Sequence, residues 1–209
     1  MKITATKLTV VFGNSVALRD LSFVIDEKAI NFLTGENGSG KSTLLRLLAG
    51  FINPTAGKIV YHEFGSTKDR LEIGEFSYLS EKSLLTLNLT VYQAILLSRM
   101  GNKASADEVI YNWQLKNLLN KKISEISLGE RRRVSLARSL KSGKKLVLLD
   151  EPFANLDQKV SNILNQTLSV LQAEGTTILL ALHDFNRFTE GLKSNCKVIA
   201  LKKEENERA

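Results

Sequence analysis

Residues 35–43 read Gly35-Glu36-Asn37-Gly38-Ser39-Gly40-Lys41-Ser42-Thr43, and they carry the strongest structural signal in the chain. The first eight match the pattern G-x-x-x-x-G-K-[ST] at every fixed position. Glycines allow the backbone to wrap closely around an anion and to point successive N–H groups at phosphate oxygens. An apolar run at 29–34 precedes the loop and a leucine-rich stretch at 41–50 follows it, which indicates a strand and a helix. The stretch therefore predicts a loop that binds the phosphates of ATP.

Three side chains of this loop have predicted roles beyond those of the backbone. Lys41 adds a full positive charge, worth about 4 kcal/mol at about 4 Å from a phosphate oxygen when the effective dielectric constant is near 20. The Ser42 hydroxyl is expected to ligate Mg²⁺, and the Thr43 hydroxyl to reach an α-phosphate. The helix that begins here adds unpaired N–H donors and partial positive charge. We expect all nine residues to contact ATP, and Lys41 to act in its hydrolysis as well.

Short apolar runs alternate with helical patterns along much of the chain, which predicts a parallel sheet covered by helices on both faces. Near the N-terminus, alternation of apolar and polar residues predicts antiparallel strands instead. From about 84 to 140, leucine, isoleucine and valine recur at helical spacing, which predicts a helical subdomain. The predicted strands are 2–11, 21–26, 29–34, 58–61, 145–149, 176–182 and 197–201, and the predicted helices outside the helical subdomain are 41–50 and 158–173. The sequence therefore predicts an α/β fold.

Two acidic residues and a histidine follow two of the predicted apolar strands. Asp150 and Glu151 come after one strand, and His183 comes after the next. Isolated polar residues at strand ends are usually structural or solvated, but the carboxyl ends of neighbouring parallel strands face one crevice. We therefore expect Asp150 to reach the Mg²⁺ held by Ser42. Glu151 would polarise the attacking water as a general base, and His183 would contact the γ-phosphate.

Composition limits the classes of protein that the chain can belong to. Lysine and arginine number 29 against 22 aspartate and glutamate, a surplus of +7 that is scattered along the chain. Scattered charge indicates solubility more than nucleic-acid binding, so we expect no nucleic acid partner. The single cysteine, Cys196, excludes an internal disulfide and fits a reducing compartment. No apolar run approaches the roughly 18 residues that span a bilayer, so we expect a cytoplasmic protein.

The order of the motifs resembles the nucleotide-binding subunit of ABC transporters over essentially the whole chain. The matching segments are a Walker A loop (GENGSGKST, 35–43), a signature-like segment (ISLGERRRVSLARSL, 126–140), a Walker B strand (LVLLDEP, 146–152), a D-loop (NLD, 155–157) and a switch histidine (LLALHD, 179–184). The resemblance implies one ABC ATPase domain over 1–209, with a P-loop NTPase core. Residues 1–83 and 142–209 would form a RecA-like core with an antiparallel β edge subdomain, and about 84–141 the inserted helical subdomain.

In that family two cassettes pair head to tail, and each ATP lies between the Walker A loop of one and the signature of the other. The resemblance therefore implies a homodimer in which Ser127 and Gly129 contact the γ-phosphate bound by the other copy. Phe12 matches by position the aromatic residue that stacks on adenine; the alternative is an ordinary core phenylalanine. Among the three successive arginines at 131–133, we expect at most one or two to have a defined role, because they point about 100° apart.

Several positions depart from the family pattern. Glu81 stands where the family has a glutamine that contacts Mg²⁺ and links the core to the membrane subunit, and a carboxylate can also ligate that ion. Leu128 replaces the first glycine of the signature, and Glu130 replaces its glutamine and brings a negative charge towards a phosphate. Lys28 stands where a glycine is usual. The Glu81 departure bears on coupling more than on ATP binding, and we assign no role to Lys28.

The resemblance implies an ATP-hydrolysing subunit that works with a separate integral membrane subunit, on the cytoplasmic face of the inner membrane. The leucine-rich segment 82–100 would supply part of the apolar surface for that partner. The cargo is open, with haem suggested by likeness to the haem exporter ATPase of cytochrome c maturation; short bacteriocin, antibiotic or lipoprotein-type exporter ATPases share the same features. Two alternatives are a soluble cassette of the iron–sulfur assembly type and a degenerate cassette with little hydrolysis. Cassettes of the DNA-repair type need a long coiled coil between the motifs, and those of the translation type usually carry two cassettes per chain. The sequence shows neither feature.

Overall fold

The computed structural model describes residues 1–72, 74–80, 88–98, 103–140, 143–183 and 196–203. Within these ranges the chain forms β-strands in two sheets, together with α-helices. The strands are β1 (Lys2–Phe12), β2 (Ser15–Ile25), β3 (Ile30–Thr34), β4 (Ala56–Glu63), β5 (Ser66–Lys68), β6 (Phe76–Leu79), β7 (Leu146–Asp150), β8 (Thr177–Leu182) and β9 (Lys197–Ala200). The helices are α1 (Lys41–Leu48), α2 (Val91–Ser98), α3 (Lys103–Asn112), α4 (Leu128–Ser139) and α5 (Gln158–Ala173). No helix in these ranges is long and apolar enough to cross a bilayer.

Five strands form a parallel sheet in the order β6-β7-β8-β3-β9. Strands β7 and β8 are buried along their whole length, as expected for central strands covered on both faces. This order makes β3, β8 and β7 consecutive neighbours, so their carboxyl ends lie together at one edge of the sheet. The P-loop, the histidine and the acidic pair follow these three strands and are therefore brought to one place.

Successive residues of β7 pack on opposite faces of the parallel sheet. Leu146 and Leu148 belong to a core shared with α1 and the antiparallel strands, whereas Val147 and Leu149 pack with residues of α2 to α5. Each fully buried leucine or valine contributes about 1.5–3 kcal/mol by the removal of apolar surface from water. Helices α1 and α5 thus lie in the cores of opposite faces, which confirms the prediction of a sheet covered on both sides.

A second sheet is antiparallel and has the order β2-β1-β4-β5. The predicted edge is confirmed, but β2 begins at Ser15 rather than at 21. Irregular register between β1 and β2 interrupts the alternation on which the prediction depended. Before β3, Lys28 has a φ of 53°, which explains why a glycine is usual there. The Lys28 N–H donates to Thr177 Oγ1 at 3.0 Å, so the turn is fixed by a long-range contact.

The segment predicted to be helical contains α2, α3, α4 and two short 3₁₀ turns at 116–118 and 123–125. It packs through a continuous apolar core against α5 and the parallel sheet. Residues 83, 84, 141 and 142, where we placed the subdomain boundaries, lie outside the described residues. The division into subdomains therefore stays a prediction.

Candidate nucleotide site

The P-loop connects β3 to α1, and its lysine is folded back into the loop. Lys41 Nζ donates to the carbonyl oxygens of Gly35 at 2.7 Å and Glu36 at 3.0 Å. Only 8% of the Lys41 surface is exposed, so its charge is held within the curve of the loop. Helix α1 begins directly after Gly40 and has no acidic residue in its first turn. The combined ammonium and helix N-terminus can therefore attract an anion.

Two glycines of the loop are required by close contacts. A Cβ on Gly40, whose φ is 94°, would lie 2.6 Å from the carbonyl oxygen of Ala17. A Cβ on Gly35 would lie 2.5 Å from Ser39 Oγ and 2.6 Å from the carbonyl oxygen of Leu201. Within the part of the chain that the structure describes, Ser39 Oγ is buried without a hydrogen-bond partner. A phosphate oxygen is the kind of group that could satisfy this hydroxyl.

The acidic pair and the histidine meet where β7 and β8 end. Asp150 is 3% exposed and closes β7, while Glu151 follows it with a φ of 45°, in the left-handed region that favours glycine. The Glu151 N–H donates to the carbonyl oxygen of Ala181 in β8 at 3.0 Å. The Glu151 Oε2 and His183 Nδ1 atoms lie 2.8 Å apart and form a hydrogen bond. The structure therefore brings the predicted base and the predicted switch histidine into direct contact.

Burial raises the pKa of the Glu151 carboxyl above its ordinary value, and the hydrogen bond with His183 partly offsets this effect. The charge of Lys41 also lowers this pKa, and that of Asp150 raises it. A carboxylate with a raised pKa is a stronger base than one in water. Glu151 thus has the electrostatic setting of a group that accepts a proton from water.

These groups share one open cavity of about 500 Å³. From the P-loop it is lined by Asn37, Gly38, Gly40, Lys41, Ser42 and Thr43, and from the strand ends by Asp150, Glu151, Ala154 and His183. The rest of the lining consists of Ser15, Val16, Ala17 and Lys203, which the sequence did not single out. Lys203 follows the last strand, and no sequence motif could have placed it beside the P-loop. The volume and the mixture of donors and carboxylates suit a nucleotide.

The signature residues lie elsewhere in the chain. Ser127 caps α4: its Oγ accepts from the Glu130 N–H at 3.3 Å, and Glu130 Oε2 accepts from the Ser127 N–H at 2.8 Å. The hydrogen bonds with Ser127 lower the pKa of Glu130, so this carboxylate supports the helix start. Neither Ser127 nor Gly129 is among the described residues that line the cavity. The structure of one chain therefore does not bring the signature to its own P-loop.

Two further predicted positions have different outcomes. Phe12 is 52% exposed, so the alternative of an ordinary core phenylalanine is wrong. Its partner across β1 and β2 is Ser15, which lines the cavity, and its stacking on adenine stays a prediction. Glu81 lies outside the described residues, so its role at Mg²⁺ stays a prediction too.

The chain is similar to known proteins of one family. The model of the ABC transporter family matches residues 18–154. The chain is 31% identical over 204 residues to the zinc import ATP-binding protein ZnuC of Hydrogenovibrio crunogenus. This match covers 95% of this chain and 78% of that protein. It is 34% identical over 183 residues to the lipoprotein-releasing system ATP-binding protein LolD of Buchnera aphidicola. This match covers 80% of this chain and 79% of that protein.

Solved structures show the same fold. An ATP-binding subunit of an ABC transporter superposes with a TM-score of 0.80 at 24% identity, over 96% of this chain and 86% of that one. An ATP-binding cassette in a dimeric post-hydrolysis state, bound to ADP and Pi, gives a TM-score of 0.78 at 24% identity, over 99% of this chain and 97% of that one. With a matching family model and relatives above 30% identity, the chain belongs to the ABC transporter family, as an ATP-binding and ATP-hydrolysing subunit.

Proposed function

We propose that this chain hydrolyses Mg²⁺-bound ATP at a site shared by two copies, and that hydrolysis drives transport through a separate membrane subunit. The observation that carries the proposal is the Glu151–His183 pair, 2.8 Å apart, at a cavity also lined by Lys41 and Asp150. This arrangement joins a phosphate-binding loop to a base whose pKa is raised. A site that only stored a nucleotide would not need that base.

The residues present fit a magnesium ion. Mg²⁺ prefers oxygen ligands and is usually held by one or two protein groups together with substrate phosphates. The exposed hydroxyl of Ser42 and the buried carboxylate of Asp150 line the same cavity and supply such oxygens. When bound, the ion would neutralise charge on the phosphates. Glu81 is a third candidate ligand by position in the sequence.

Hydrolysis itself needs few changes in covalent bonding. A water oxygen attacks the γ-phosphorus, the bond from that phosphorus to the β–γ bridging oxygen breaks, and ADP leaves with the bond's electron pair. Glu151 accepts the proton of the attacking water, and His183 keeps the carboxylate directed into the cavity and contacts the γ-phosphate. Lys41 and the N–H groups at the start of α1 stabilise the charge that builds up on the phosphate oxygens.

A second copy would complete the site. Ser127 and Gly129 begin a helix whose N–H groups suit a phosphate, yet in their own chain they are not among the described residues that line the cavity. Head-to-tail pairing would place the signature of one copy against the P-loop of the other. The similar cassette solved as a dimer with ADP and Pi supports this arrangement.

Mixing two inactive variants tests the shared site. Lys41→Ala disables the P-loop, while Ser127→Asp keeps a good helix cap but places a negative charge where the γ-phosphate would bind. Each variant alone should lose ATPase activity. Mixed dimers would hold one intact site, built from the P-loop of the second variant and the signature of the first, so activity should partly return. No recovery at any mixing ratio would contradict the two-copy site.

A membrane partner is supported by exposed apolar side chains. Phe51, after α1, is 58% exposed and packs edge-on against Tyr78, with ring centroids 5.3 Å apart. Leu97, in the segment 82–100 where we expect part of the partner's surface, is 63% exposed, while Val91, Ala94 and Ile95 are core. We propose that these side chains contact a membrane subunit on the cytoplasmic face of the inner membrane. Residues 82–87, 99 and 100 of this segment lie outside the described residues.

Expression with and without the product of a neighbouring membrane-protein gene tests the transporter assignment. The chain should sediment with membranes only when that product is present, and Phe51→Asp should release it without loss of ATP binding. A chain that stays in the supernatant in both cases would favour the iron–sulfur assembly alternative. If the wild-type chain hydrolyses ATP no faster than the Lys41→Ala variant, the degenerate cassette would be favoured. The relatives carry names that refer to zinc and to lipoproteins, so haem stays a prediction for the cargo.

A further inference from the structure

Arg132 is a buried arginine in α4, the helix that begins after the signature serine. It is 4% exposed. Its Nη1 donates to the carbonyl oxygen of Ser80 at 2.8 Å. Its Nη2 donates to the carbonyl oxygens of Asp150 at 2.8 Å and Glu151 at 3.0 Å. One guanidinium thus contacts three backbone carbonyls outside its own helix.

These carbonyls belong to two adjacent strand ends. Ser80 directly follows β6, Asp150 ends β7, and β6 pairs with β7 in the parallel sheet. Arg132 therefore ties α4 to the segment that leads into residue 81 and to the acidic pair at the cavity. Movement of α4 relative to the sheet would strain or break these bonds.

The backbone of Glu151 has a conformation that needs such support. Its φ of 45° is unfavourable for a residue with a Cβ and persists only where surrounding contacts hold it. The Glu151 N–H is fixed on Ala181, while its carbonyl accepts from the Ala154 N–H at 3.1 Å and from Arg132. A planar guanidinium presents its donors in a rigid fork, whereas an ammonium carries three rotatable donors on a flexible stem.

We propose that Arg132 is a positioning residue for ATP hydrolysis: it fixes the backbone of Glu151 so that the carboxylate stays aimed into the cavity, and it links that aim to α4. The inference rests on the proposed role of Glu151 as the base. It adds a determinant of turnover on a residue that is not among the described residues lining the nucleotide cavity. Because Arg132 lies on α4, a shift of the signature helix would move the backbone of Glu151 in the same chain.

Steady-state ATPase kinetics of the full chain test the proposal. Arg132→Gln should lower kcat by about 10- to 100-fold, because displacement of a catalytic group by about 1 Å has effects of that size. The KM for ATP should stay within about twofold, since the P-loop contacts are untouched. Arg132→Lys keeps the buried positive charge but reaches fewer carbonyls, so it should fold and still lose most of kcat. This second variant carries the test if Arg132→Gln is too unstable to purify.

Arg138→Gln is the matched control, because Arg138 is a half-buried arginine in the last turn of the same helix. It should lower the melting temperature while kcat stays near wild type. The proposal is overturned if Arg132→Lys and Arg132→Gln keep wild-type kcat, if they raise KM alone, or if they behave like Arg138→Gln. If instead Glu151→Gln keeps normal turnover, the base assignment fails, so the two ideas can be told apart.

Discussion

The glycine before α1 provides a quantitative test of how the P-loop is built. In Gly40→Ala, the new Cβ would lie 2.6 Å from the carbonyl oxygen of Ala17 and 2.7 Å from Leu18 Cδ2. Ordinary contact begins at 3.4 Å, so one side must move by about 0.8 Å. The left-handed φ costs about 1–2 kcal/mol and the crowding about 1–3 kcal/mol more. We therefore expect the free energy of unfolding to fall by about 2–5 kcal/mol.

Gly50→Ala is the control, because Gly50 lies just after the C-terminal end of the same helix. Gly50 has a φ of 72°, and a Cβ there would meet nothing within 4 Å. Its substitution should cost only the backbone strain, about 1–2 kcal/mol. Because Ala17 also lines the cavity, Gly40→Ala should weaken ATP binding at least tenfold, whereas Gly50→Ala should not. Urea unfolding and titration with ATP measure both effects. Equal stability losses and unchanged affinity in both variants would refute the close-packed loop.

Three further predictions concern charge. Lys41→Ala should weaken ATP binding at least tenfold by titration calorimetry, since it removes the ammonium held in the P-loop; wild-type affinity would contradict this role. The acid limb of kcat/KM, which reports the free enzyme, should lie above pH 4.5, because burial raises the pKa of Glu151, and His183→Ala should move it to higher pH; a limb at or below 4.5 would contradict this. Hydrogen bonds with Lys145 and Lys68 lower the pKa of Glu75 from 4.5 to about 2. Glu75→Gln should therefore reduce the free energy of unfolding at pH 7, and the difference should vanish as the pH falls from 4.5 through about 2; a constant difference would contradict the ion pairing.

Much of the nucleotide site could be predicted because its spacing follows from phosphate chemistry and strand geometry. The loop at 35–43 needs glycines at fixed intervals, and β7 and β8 are apolar runs that end in polar residues. Once such runs are placed side by side in a parallel sheet, Glu151 and His183 must lie close together. The 2.8 Å contact between them confirms that proximity, although their roles in hydrolysis stay predictions.

Other features depend on contacts between distant segments, which no local pattern encodes. Lys203 lines the cavity because β9 lies beside β3, and Arg132 reaches Ser80 because α4 packs over the end of β6. Glu130 is different, since Ser127 and Glu130 form the S-x-x-E pattern of a capping box and could have been recognised. In the structure the Glu130 carboxylate accepts a hydrogen bond from the Ser127 N–H, and the expectation that its charge disfavours phosphate stays a prediction.

The central claim is that Glu151 is the base of a hydrolytic site. Turnover and ATP affinity of Glu151→Gln test it directly, with Glu174→Gln, at the exposed end of α5, as a control for the loss of one carboxylate. We predict that Glu151→Gln binds ATP with near wild-type affinity, forms ATP-dependent dimers and lowers kcat at least 100-fold. Glu174→Gln should keep normal kcat. Turnover of Glu151→Gln at the wild-type rate would contradict the account.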